Sequence, residues 1–184
     1  QIAALRAKLE RLTAARARLM QQLPTGGAMA ALEATEQEVL VALAGREAQL
    51  SLAAVNGPSA VVIAGDEAAV SEVAQAFATR GRRQRRLQVS HAFHSVRMQP
   101  MLAELAQLVA TIPLQPAQLP IVSNVHGELV APDTFAQPDY WVRHVREAVR
   151  FYAGLRCLQA EGVSAYLELG PQRGGVRGEL RHVV

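Results

Sequence analysis

Val89 to Pro100, read as VSHAFHSVRMQP, gathers Ser90, His91, Phe93, His94 and Ser95 where a strand-like run gives way to a helix. A free imidazole half-titrates at about pH 6.5, so His94 is a candidate to take and return a proton near neutrality. His91 stands three residues earlier, and Phe93 sets an apolar wall between the two rings. The competing reading of His94 is a residue that caps or packs against the helix start. A base of this kind needs a nucleophile within hydrogen-bond reach. None of the seven serines lies in a Gly-x-Ser-x-Gly elbow, the strained turn that exposes a hydroxyl above an α/β sheet. Ser59 has Gly57 before it but Val61 after it, and Ser95 adjoins His94 too closely to present its Oγ to that ring. Ser90 reads as a local hydrogen-bonding residue. Cys157 falls in an apolar helical stripe, where a buried, inert thiol is expected. No nucleophile for His94 is legible in this chain.

Two groups of arginines are the other chemical candidates. Ile2, Leu5, Leu9, Leu12, Leu19 and Leu23 recur at helical spacing, and Arg16 occupies the place where another apolar residue is due. Either its stem packs while the guanidinium snorkels outward, or the charge is aimed into a site. Arg80, Arg82, Arg83, Arg85 and Arg86 form the one dense basic run. It suits contact with a phosphate, or a solvated strand edge made unattractive to further pairing. No tyrosine or tryptophan interleaves it and no recognition helix is evident, so nucleic-acid binding is not expected. His126, His144 and His182 follow no zinc spacing, and no metal site is expected.

The elements that must position these residues read as follows. The first helix ends at Pro24 and Gly26-Gly27. Strands are predicted at Ala28 to Leu32, Gln49 to Val55, Ala60 to Ala64 and Gln84 to Val89. Thr35 with Glu38 is a capping box for a helix carrying Val39, Leu40 and Leu43, and Asp66 is a candidate cap for one carrying Val70, Val73 and Phe77. Asn56-Gly57-Pro58 turns the chain between the middle strands. This β-α-β-β-α-β order is the split, ferredoxin-like plan. Afterwards come a helix from Met98 to Val109, a strand from Pro120 to Val125, a helical region from Asp139, a helix from Phe151 to Ala160 and a strand from Ala165 to Leu169. That alternation suggests part of a parallel, layered α/β domain with too few strands to close its sheet. The expected division is residues 1–25 as a helix of the larger unit, 26–89 as the ferredoxin-like unit, and 90–184 as the rest of the larger one.

Half of the 184 residues are apolar, enough for one domain or two small ones with a folding core. No run approaches the ~18 apolar residues of a membrane helix and no signal-peptide pattern opens the chain, so no membrane association is expected. A single cysteine excludes an internal disulfide framework and fits a reducing, cytoplasmic compartment. The net charge of +3 is modest, and all but Lys8 of the 19 basic residues are arginine, a bias that says little about partners. Gln1 stands where an initiator methionine would, which suggests a fragment or a processed piece.

Several segments in order carry a resemblance: Arg16-Ala17-Arg18-Leu19-Met20-Gln21, Gly26-Gly27-Ala28-Met29-Ala30-Ala31, Ala54-Val55-Asn56-Gly57-Pro58, His91-Ala92-Phe93-His94-Ser95 and Tyr140-Trp141-Val142-Arg143-His144-Val145. Together they resemble the acyltransferase domain of modular type I polyketide synthases, kin of the malonyl-CoA:acyl carrier protein transacylases. The resemblance runs from Arg16 to Pro171 and covers the C-terminal portion of such a domain. It implies a ferredoxin-like insert beside an incomplete α/β-hydrolase-like subdomain. It also implies that His94 is the catalytic base, that the His144 backbone carbonyl orients it, and that Arg16 pairs with the malonyl carboxylate. His91 and Phe93 match the motif that accompanies malonyl choice. Arg82, Arg83, Arg85 and Arg86 are then candidates to contact phosphate or carrier protein.

The implied substrate is malonyl-CoA and the acceptor is the phosphopantetheine of an acyl carrier protein, with no bound cofactor. The ketosynthase and other domains of the synthase are the implied neighbours. The serine elbow of the family precedes the arginine helix and is not found here, so no turnover is expected of the isolated chain. The alternative is a non-catalytic, truncated or degenerate domain that serves carrier-protein or interdomain contact. Gln1 to Leu12 and the polar stretch Gln172-Arg173-Gly174-Gly175 depart from the family pattern.

Overall fold

The structure, a computed structural model, describes residues 2–167, with residues 2–9 and 11 described by their backbone alone. Helix α1 (Ile2–Gln21) stops ahead of Pro24, as the breaker residues predict. The chain then forms strands β1 (Gly27–Leu32), β2 (Leu50–Gly57), β3 (Ala60–Asp66) and β4 (Gln84–Arg86). Helix α2 (Glu36–Leu43) follows β1 and α3 (Glu67–Thr79) follows β3. The strands pair antiparallel in the order β2-β3-β1-β4, the spatial order of the split β-α-β plan.

Alternation along the strands sorts their side chains onto two faces. Ala28, Ala30, Leu32, Val61 and Ile63 pack on Val39 and Leu43 of α2 and on Val70, Val73 and Phe77 of α3. Met29, Ala53, Val62 and Ala64 point the other way and are covered by Ala92 and Phe93. The Thr35–Glu38 capping box is present: Thr35 Oγ1 accepts the Glu38 N–H at 3.2 Å, and the Glu38 carboxylate accepts the Thr35 N–H at 2.8 Å. Strand β4 is shorter than its sequence predicts. The Leu87 N–H still donates to the Met29 carbonyl at 2.9 Å, and the chain then leaves the edge to cross the sheet's outer face. Asp66 precedes α3 but makes no side-chain cap, because its carboxylate pairs with Arg97.

A 3-10 turn (Val96–Met98) leads into α4 (Gln99–Ala110), with Pro100 in its first turn. Helices α5 (Pro138–Arg146) and α6 (Phe151–Ala160) follow, the latter at its expected bounds. Leu19, Leu23, Met98, Met101, Leu105, Val109 and Val145 make a separate core among α1, α4 and α5. Phe93 packs against this core as well as the sheet's outer face.

The strand expected from Pro120 to Val125 narrows to β5 (Val122–Ser123), paired with β6 (Glu128–Leu129) in a small antiparallel hairpin. Pro120 has no N–H to lend a ladder, which shortens the run. Parallel pairing among the described residues is confined to one bridge, Ala54 to Val149. There the Val55 N–H donates to the Val149 carbonyl and the Val149 N–H to the Ala53 carbonyl, each at 2.9 Å. The segment after α5 thereby covers part of the β2 edge. Ala165 to Leu167 lack regular structure, and the remainder of the strand expected there lies outside the described residues. The polar stretch from Gln172 lies outside them too. No helix among the described residues is long and apolar enough to cross a membrane. The mixed α/β class expected from the sequence is borne out.

Candidate active site

The site is built around a strained turn. His94 has φ +56°, the one non-glycine residue among those described in the left-handed region. Such backbone costs about 1–3 kcal/mol and persists where its surroundings over-determine it. Ser95 is fully buried; its Oγ donates to the Ala92 carbonyl at 2.6 Å and accepts the Arg97 N–H at 3.2 Å. The Val96 N–H donates to Ser51 Oγ of β2 at 3.2 Å. Arg97 donates to the carbonyls of Pro24 and Thr25 and pairs with Asp66. Behind the turn, a Cβ on Gly27 would stand 2.9 Å from the Ala92 Cβ, so glycine is what lets this segment lie against β1.

His94 Nδ1 lies 2.9 Å from the backbone carbonyl of Glu147. A carbonyl only accepts, so Nδ1 carries the hydrogen and Nε2 is left with a lone pair. This corrects the expectation that the His144 carbonyl orients His94. His144 sits within the last turn of α5, where carbonyls run along the helix axis. Glu147 follows the helix in extended backbone (φ −82°, ψ 160°), which turns its carbonyl sideways to the ring. His144 meets His94 instead through its side chain, ring edge to face at 6.4 Å and 74°.

Arg16 joins the two rings from α1. Burial pushes the His94 pKa below its ordinary value, the Glu147 hydrogen bond opposes this, and the positive charge of Arg16 adds to the depression. The His144 pKa is likewise lowered by burial, by Arg16 and by His94. Arg16 is itself half-buried, its guanidinium pKa lowered by burial, and it pairs with no carboxylate among the described residues. The structure thus brings together His94, His144 and Arg16, three residues spread over two-thirds of the chain. Phe93 immediately precedes His94, and its ring lies 6.1 Å from that of His91.

The basic run does not join this group. Arg82 pairs with Glu38 at 2.9 Å, Arg83 with Glu33 at 2.9 Å and Arg86 with Glu67 at 2.7 Å, while Arg80 lies over the Phe77 ring. Arg85 has no acidic partner among the described residues. Ser51, Ser95 and Ser123 are committed to other bonds, and no hydroxyl among the described residues is bonded to the His94 ring. No group of three metal-ligating side chains occurs among them. Glu147 was not singled out in the sequence. Its one sequence signal is the position four residues after Arg143, with which it forms a two-bonded pair at 2.6 and 3.0 Å.

Known proteins resemble this chain in sequence and in fold. The acyl transferase domain family model matches residues 5–172. The spectinabilin polyketide synthase system protein NorB of Streptomyces orinoci is 50% identical over 160 residues, 87% of this chain and 7% of that protein. Polyketide synthase GfsA of Streptomyces halstedii is 50% identical over 169 residues, 92% of this chain and 2% of that one. The chain therefore spans less than a tenth of either relative. Among solved structures, the acyltransferase domain from the second module of the salinomycin polyketide synthase superposes with a TM-score of 0.84 at 48% identity, over 88% of this chain and 38% of that one. FabD from Acinetobacter baumannii gives a TM-score of 0.83 at 25% identity, over 90% and 55% respectively.

Proposed function

Because the chain belongs to the acyl transferase domain family, we propose that His94 and Arg16 form one wall of a site that transfers malonyl from malonyl-CoA to an acyl carrier protein within a polyketide synthase. The observation that carries this reading is a half-buried arginine, without an acidic partner among the described residues, beside a histidine whose pKa burial lowers. A desolvated guanidinium gains more from a carboxylate than an exposed one does. Its planar fork also matches the free malonyl carboxylate through two bonds.

The nucleophile in this reading is a serine of the intact domain that is not one of the seven serines of this chain. Its Oγ attacks the thioester carbonyl while its proton passes to Nε2 of His94. Collapse of the tetrahedral intermediate breaks the C–S bond, and the Nε2 proton goes to the departing sulfur of coenzyme A. In the second half, the phosphopantetheine thiol gives its proton to Nε2 and its sulfur attacks the acyl-serine ester. The serine oxygen leaves with that proton, and the cycle uses no bound cofactor. Phe93, wedged between two cores, fills the space that an α-methyl would need, with His91 beside it. One methyl is worth about 1–3 kcal/mol, so the outcome is a preference for malonyl. Arg85 is the arginine of the basic run free to meet a phosphate or the carrier.

In an intact acyltransferase domain that contains this chain, radiolabel from malonyl-CoA should accumulate as acyl-enzyme, and His94→Ala should abolish it. Full labelling of the His94→Ala domain would sink the assignment of the base. The isolated chain should take up no label; stable acylation of it would place a nucleophile within these residues.

A further inference from the structure

The end of α5 carries an ion pair that this chemistry leaves without a task. Arg143 donates from Nε to one Glu147 oxygen at 2.6 Å and from an Nη to the other at 3.0 Å. Its own carbonyl accepts the Glu147 N–H at 2.8 Å. Residue 147 is therefore gripped by both main chain and side chain where the helix has ended and the backbone turns extended. From that same residue the carbonyl meets His94 Nδ1 at 2.9 Å. Exposed pairs of this spacing add little to a helix, and this one reaches past the last helical residue, so helix stability accounts for it poorly.

We infer that the Arg143–Glu147 fork is a positioning pair: it fixes the orientation of the residue 147 carbonyl, and with it the His94 tautomer that leaves Nε2 bare. The inference rests on His94 acting as the base, yet what the fork does to the ring is separable from whether the ring performs chemistry. Other charges face these groups. Arg16 from α1 and His144 from α5 act on His94, and His126 and Arg146 act on the Glu147 carboxylate. Among the described residues only Arg143 hydrogen-bonds that carboxylate.

Imidazole 15N resonances of the full chain read the tautomer directly. The unaltered protein should show His94 in one neutral form, with hydrogen on Nδ1. In Arg143→Ala and Glu147→Ala the Nε2–H form, minor before, should become comparable or dominant. The His94 midpoint should also fall, since a carbonyl accepting from Nδ1 favours the charged ring and its loss disfavours it. The exchange variant Arg143→Glu/Glu147→Arg rebuilds the fork and should restore both signals. Natively dispersed spectra in which both single variants keep the Nδ1–H form and the midpoint would overturn the inference. Should the single variants unfold, the exchange variant decides, and a folded exchange variant with mixed tautomers overturns it equally. Failure of malonyl transfer in the intact domain would leave these resonances unmoved, so the two readings fail separately.

Discussion

At His94, burial and the Arg16 charge both disfavour the imidazolium, and the Glu147 carbonyl partly offsets them. The neutral base is therefore populated below the pH of about 6.5 at which a free imidazole half-titrates. For a domain carrying this chain, the acid limb of kcat/KM in malonyl transfer should lie below that pH. Arg16→Ala removes a cation that repels the proton, so the limb should move upward. A bound malonyl carboxylate neutralises the same cation, which places the limb of kcat above that of kcat/KM. A limb unmoved in Arg16→Ala would separate the two residues electrostatically. The same variant should lose roughly ten- to a hundred-fold in kcat/KM with malonyl-CoA, from about 1.5–3 kcal/mol of charge-assisted bonding. With acetyl-CoA, which has no free carboxylate, the loss should be far smaller. Equal losses would mark Arg16 as a packing residue.

At the scale of elements, the site depends on how closely the turn around His94 lies on β1. Gly27→Val would drive side-chain atoms into Ala92 and toward Arg97 Nε, 3.0 Å from the added Cβ. Overpacking of this kind costs about 1–3 kcal/mol, and the His94 resonances should shift along with stability. Unshifted resonances in a natively folded Gly27→Val chain would show that the turn is held from elsewhere. Local signals made many elements legible in advance: the Thr35–Glu38 capping box, the Asn56-Gly57-Pro58 turn, α6, and the short apolar runs that became β1 and β3. Long-range competition hid the rest. Asp66 reads locally as a cap but is claimed by Arg97, and β4 ends early because its continuation covers the sheet. The basic run is legible as charge, but its neutralisation by Glu33, Glu38 and Glu67 is not, and those pairs weaken the reading of this strand as a carrier-binding surface. Arg16 announced itself by interrupting an apolar stripe. Glu147 could not, because it acts through a backbone carbonyl that every residue type possesses.

Across the whole molecule, polar ties join the sheet unit to the helical layer beside the packing of Ala92 and Phe93 on the sheet's outer face. Arg97 ties the end of β3 to the segment after α1, and Arg150 pairs with Glu36 at the start of α2. Arg97→Met should therefore cost about 1–3 kcal/mol, and a change of 1 kcal/mol lowers Tm by about 2–4 °C in a chain of this size. It should also disturb His94, since Arg97 belongs to the hydrogen-bonded turn. A Tm unchanged in Arg97→Met would show that the two layers hold without it. A third fastening is the parallel bridge at Val149, two residues beyond the carbonyl that holds His94. Drawing the sheet unit away from α5 would strip the β2 edge and release the imidazole in the same movement. The short peptide from Glu147 to Val149 thus holds the His94 ring at one end and the β2 edge at the other, so the seating of the imidazole and the docking of the sheet are set by one stretch of chain.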